Sequence, residues 1–127
     1  MPLRTVGVIE IPDAAGSAFD HGAFDPRTRR VFIAHTARDC VEVIDHDAQR
    51  HMATLPGFPG VAGAVADDGE ILVTNRGAAS LAWLDAVTFK TGARPNGAAI
   101  VNRTAIGIVA CIGDQREAPT LQSFGLG

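Results

Sequence analysis

The segment "VFIAHTARDCVEVID" at 31–45 is followed forty positions later by a near-copy, "ILVTNRGAASLAWLD", at 71–85. Self-similarity at a fixed spacing constrains a fold more than any local propensity, because equivalent segments build equivalent units. In both copies an apolar run ends in a polar residue, His35 or Asn75. A short polar turn follows, and then a second apolar run that stops at Asp45 or Asp85. The runs are bulky or β-branched and only a few residues long, which selects strands over helix. No capped amphipathic window is long enough to compete as a helix.

A fainter third copy follows. "IVACIG" at 108–113 resembles "LVTNRG" at 72–77, and "TLQSF" at 120–124 resembles "SLAWL" at 80–84. A glycine-led element precedes each copy: "HGAFDP" from 21, "PGVAGAVA" from 59 and "PNGAAIV" from 95. Asp-Pro, Asp-Asp-Gly and Asn-Gly between the apolar runs set turns through fixed or positive φ and Asx hydrogen bonds. The chain therefore reads as all-β: about three four-stranded antiparallel meanders at 21–55, 59–91 and 95–124, with one more strand, "TVGVIEI", at 5–11. Four-stranded units at such a period are the pattern of β-propeller blades. The fold expected is a partial β-propeller in a single segment spanning 1–127.

The resemblance reaches a family at "RPNGAAI", "LVTNRG" and the strand closing on "LD". These stretches resemble the YVTN-type β-propeller repeat, whose name-giving strand "LVTN" at 72–75 matches in its last three letters. The similarity runs from about residue 20 to 124. It implies a binding or scaffold propeller that is not catalytic. Two alternatives stay open: a lactonase-like metal-dependent hydrolase, and a propeller domain associated with redox chemistry. The second unit is shortened between Asp85 and Arg94, and the third has no recognisable outer strand. Closed propellers need roughly four to eight blades. The expectation is thus either part of a longer propeller or a homo-oligomer in which head-to-tail copies close the ring.

In a meander the connections alternate between two ends of the sheet. The end carrying the second-to-third-strand turns and the unit-to-unit links receives His21, His35, Asp39, Asn75, Arg76, Arg94, Asn96 and Asp114, which form the expected ligand-binding rim for a protein or small molecule. His21 and His35 invite pairing beside Asp20 or Asp39, because imidazole titrates near neutrality and binds metals. The competing reading makes His35 a strand-end hydrogen-bonding group, like Asn75. Arg94 and Asn96 offer a cation and an amide to an anion, on top of the turn that Pro95 and Asn96-Gly97 dictate. "IDHDAQRH" gathers Asp45, His46, Asp47 and His51, but Asp and His are also ordinary turn residues. Trp83 reads as packing between units.

No catalytic residue and no metal ligand is assigned, and no cofactor is named by the sequence. G-x-S-x-G, the Walker loop and G-x-G-x-x-G are all absent. Ser17, Ser80 and Ser123 have no local nucleophile context. Without C-x-x-C-H, covalent haem attachment is excluded. A net charge of −3 gives no basic face for nucleic acid. Arg27, Arg29 and Arg30 read as a solvated turn. No run approaches the roughly 18 apolar residues of a membrane span. With no signal peptide in view and only two cysteines, a cytoplasmic location with reduced thiols is expected.

Overall fold

The structure, a computed structural model, describes residues 2–89 and, beyond them, the backbone of 91–94, 99–101, 106–111 and 120–125. The chain is all-β. The strands are β1 (Gly22–Asp25), β2 (Arg30–His35), β3 (Cys40–Asp45), β4 (Arg50–Pro56), β5 (Val61–Asp67), β6 (Glu70–Asn75), β7 (Ser80–Asp85), β8 (Thr91–Arg94), β9 (Ala99–Val101), β10 (Ile106–Cys111) and β11 (Thr120–Gly125). They form three successive antiparallel meanders: β1-β2-β3-β4, β5-β6-β7-β8 and β9-β10-β11. The first two carry the four strands expected of them, and three strands of the third lie among the described residues. No helix among the described residues is long and apolar enough to cross a membrane.

The recurring motif has a local cause. Asp45 Oδ1 accepts the backbone N–H of Ala48 at 3.0 Å, and Asp85 Oδ1 accepts those of Val87 and Thr88 at 2.8 Å. Each aspartate ends its strand with an Asx turn, replacing ladder hydrogen bonds by side-chain ones. The turn between the two apolar runs is one short 3-10 turn in each sheet, Thr36–Arg38 and Arg76–Ala78. Both end on a residue in the left-handed region, Asp39 at φ 53° and Ala79 at φ 46°.

Strand alternation gives each sheet two faces. The forward face of the first sheet bears Phe32, Ala34, Val41 and Val43. The rear face of the second bears Ile71, Val73, Ala82 and Leu84. These eight, with Phe58, Val61 and Ala86, form one buried cluster. Burying each large member stabilises the fold by about 2 kcal/mol. The pairs Phe32↔Val43 and Val73↔Ala82 show that opposite faces of equivalent sheets meet. The second sheet's forward face is buried as well, with Leu72 and Leu81 essentially inaccessible. β1 lies against β5, and β5 lies in turn against β9. The first unit thus presents its front to the back of the second.

The turns add polar ties between the two sheets. Asp25 is fully buried: its Oδ1 accepts Gly69 N–H at 3.0 Å, and its Oδ2 accepts the Thr28 hydroxyl at 2.6 Å. Arg30 donates to the Ala86 carbonyl at 2.6 Å and lies over the Phe89 ring, while Arg27 reaches the Asp68 carbonyl. Of the arginines expected in a solvated turn, Arg27 and Arg30 therefore join neighbouring sheets, because Asp68 and Ala86 sit within reach of their long stems, while Arg29 stays exposed against Asp47.

Residues 5–11 form no strand, contrary to the expectation. Their apolar alternation suits one, but a strand exists only where a second edge takes up its N–H and C=O groups. Val6 and Val8 stand in solvent instead.

Candidate functional site

The rear face of the first sheet has no second sheet against it among the described residues, and it differs from its counterpart. The positions that carry Asn75, Ser80 and Ala82 in the second sheet carry His35, Cys40 and Glu42 here. Glu42 sits in the middle of β3 opposite Ile33 and is 1 % exposed. An ionised carboxylate is tolerated at such depth only when it is hydrogen-bonded throughout.

It is. Oε2 accepts from His35 Nδ1 at 2.8 Å and from the Cys40 thiol at 3.7 Å. Oε1 accepts from His51 Nε2 at 3.0 Å and from the Thr54 hydroxyl. Four donors meet the four lone-pair positions of one carboxylate. Burial pushes the Glu42 carboxyl upward, but the bonds from Thr54, His35 and His51 outweigh it and hold the group below its ordinary value. Burial and the neighbouring Glu42 charge push the Cys40 thiol up to about 11, so it stays protonated and unreactive near neutrality.

A β-bulge delivers one of these donors. Val43 pairs with Ala53 while Ile44 pairs with His51, so β4 spends an extra residue, Met52, against β3. That insertion turns Met52 outward and brings His51 onto the same face as Thr54 and Glu42. Bulges re-aim side chains in just this manner.

The network continues to a segment outside the sheets. With Nδ1–H donated to Glu42, the Nε2 lone pair of His35 accepts the Ser17 hydroxyl at 2.6 Å. Phe19 tilts over the imidazole with ring centroids 4.6 Å apart. Ser17 is half-buried, whereas His35 is 1 % exposed. Hydroxyl, imidazole and carboxylate thus form one line running from partial solvent access into the interior.

The residues expected on the rim are dispersed. His21 is exposed and pairs with Asp20 at 2.7 Å, while His35 faces inward to Glu42. Asp39 is exposed and accepts Gly60 N–H at 2.7 Å. The Arg76 N–H donates to the Gly60 carbonyl at 3.2 Å, which brings the turns of the two sheets and the link between them to one end. Asn75 is buried; its Nδ2 reaches Ser80 Oγ at 3.4 Å, and its Oδ1 is the one buried side-chain oxygen or nitrogen without a partner among the described residues. Arg94 closes β8, and Asn96 and Asp114 lie outside the described residues.

His35, Cys40 and Glu42 are close enough for one ion. Every lone pair of that carboxylate already has a donor, however, so a metal would have to displace existing bonds. The "IDHDAQRH" cluster separates: Asp45 caps its turn, Asp47 binds Arg29 and His46, and His51 turns inward. Glu42 was not singled out from the sequence. The signal available was a carboxylate where the second copy has alanine. No family model matches the chain, and the comparison with curated proteins finds no significant relative.

Proposed function

We propose that this chain is a binding scaffold of the β-propeller type, similar to YVTN repeats, in which each meander is one blade. The observation that supports this reading is the front-to-back packing: the forward face of one sheet covers the rear face of the next, and first strands follow one another from β1 to β5 to β9. A contact between unlike faces can be repeated indefinitely, and it closes into a ring when the rotation per unit divides a circle. Three sheets are too few for closure. The remaining blades belong to a longer chain of which this is part, or come from a second copy whose 5–11 segment, with Val6 and Val8 exposed, supplies the strand that completes the β9-β10-β11 sheet. A protein or small-molecule ligand then binds on the rim formed by residues 36–39, 57–60 and 76–79.

Light scattering on the purified chain tests the assembly. A mass of two chains, falling to one when residues 2–11 are removed, is the expected result. A monomer that melts cooperatively at micromolar concentration, with or without residues 2–11, contradicts it.

A further inference from the structure

Ser17 stands in "AAGSA" at 14–18, immediately after Gly16 at φ +67°, whose missing Cβ faces open space. Its hydroxyl is the outer end of the line through His35 Nε2 and Nδ1 to Glu42 Oε2, at 2.6 and 2.8 Å. The geometry points to a nucleophile–base–acid relay, Ser17–His35–Glu42, that takes the acyl group of small uncharged carboxylic esters. Such relays are recognised by geometry and role, not by order in the chain or by a local motif.

Three features separate this from a hydrogen bond that merely pins the segment before β1. Pinning needs one donor and one acceptor, whereas here the imidazole is gripped on its far side by a saturated, buried carboxylate. That grip fixes the tautomer which leaves Nε2 free to take a proton. The half-exposed Phe19 ring, tilted over His35, gives an apolar surface beside the imidazole against which an acyl group can rest. Finally, the second sheet shares the strand architecture without this line: Asn75, Ser80 and Ala82 occupy its positions.

In the first half-reaction Ser17 Oγ bonds to the ester carbonyl carbon as its proton moves to Nε2, and the carbonyl π pair shifts to oxygen. Collapse restores the carbonyl and breaks the carbon–oxygen bond to the alcohol, whose oxygen takes the proton from Nε2. Water then attacks the acyl-serine in the same way. It releases the carboxylic acid and returns the hydroxyl to Ser17. Glu42 accepts Nδ1–H throughout and balances the imidazolium charge.

The test treats the full chain with an alkyl fluorophosphonate and follows p-nitrophenyl acetate hydrolysis in parallel. One adduct is expected, mapped to Ser17 by mass spectrometry, forming faster as pH rises through a single ionisation. Ser17→Ala removes the adduct and the hydrolysis while circular dichroism stays unchanged. His35→Gln slows labelling by about 100-fold or more, and Glu42→Gln slows it less. The proposal is overturned if the folded native chain gives no Ser17 adduct, or if its rate of labelling does not change with pH. It is also overturned if Ser17→Ala hydrolyses the acetate at the native rate. The pH profile and Ser17→Ala stand even where His35→Gln fails to fold, and neither depends on whether the ring closes.

Discussion

The first and second sheets share strand order, turn aspartates and 3-10 connections, yet one structural position holds Glu42 in the first and Ala82 in the second. Both side chains are buried. Ala82 is covered by the apolar front of the preceding sheet and packs in the shared core. Glu42 is covered by its own sheet's His35, His51 and Thr54, with Ser17 reaching in from the N-terminal side. The same backbone therefore supports a dry joint or a polar network, and the neighbour decides which is stable. Low dielectric strengthens a satisfied network and penalises an unsatisfied one.

Exchanging the two residues should break the comparison most severely. Ala82→Glu places a carboxylate in the core with no donors around it and is expected to cost about 5 kcal/mol. Glu42→Ala strands the donors of His35, His51 and Thr54 and should cost about 3 kcal/mol. Urea denaturation of both variants reads the difference. If Ala82→Glu proves the milder change, the two sites are not environments of opposite kind.

Acid sharpens the contrast. Glu42 binds its proton less readily folded than unfolded, so its contribution is complete above the ordinary value of 4.5 and is lost as pH falls through the lowered folded value. Asp25, which is burdened by burial but held low by Thr28 and Gly69, adds a similar dependence below 3.8. Stability measured by urea from pH 6 to 3 should fall, and Glu42→Gln should flatten the upper part of that fall. An identical slope in the variant would show that Glu42 is not the titrating group.

The smallest effect concerns the paired left-handed turn residues. Asp39 offsets its strain by holding Gly60 N–H, whereas Ala79 brings only a methyl group to φ 46°. Ala79→Gly should raise stability by about 0.5 kcal/mol, since steric relief exceeds the added freedom of the unfolded chain. Asp39→Gly should lower it through loss of the Gly60 bond. Thermal melting of the pair checks both signs.

The strands were legible because their apolar runs and turn residues are local signals, and the two copies reinforced each other. Asp45 and Asp85 announced their turns for the same reason. The network was not legible. In "CVEVID" a single glutamate between valines reads as the solvent side of an alternating strand, and its burial depends on elements far along the chain. His51 reaches it only through a bulge, which an apolar pattern does not mark. Ser17 comes from a segment with no regular structure, eighteen residues before its partner. The strand expected at 5–11 shows the converse, a correct local pattern with no edge beside it.

Glu42 has one more consequence. Units that join front to back are interchangeable, and interchangeable units invite slippage, in which one takes its neighbour's seat. A carboxylate that does not survive beneath a front like the one over Ala82 gives the first unit an address. It can take its own place in the series and cannot be shifted into its neighbour's.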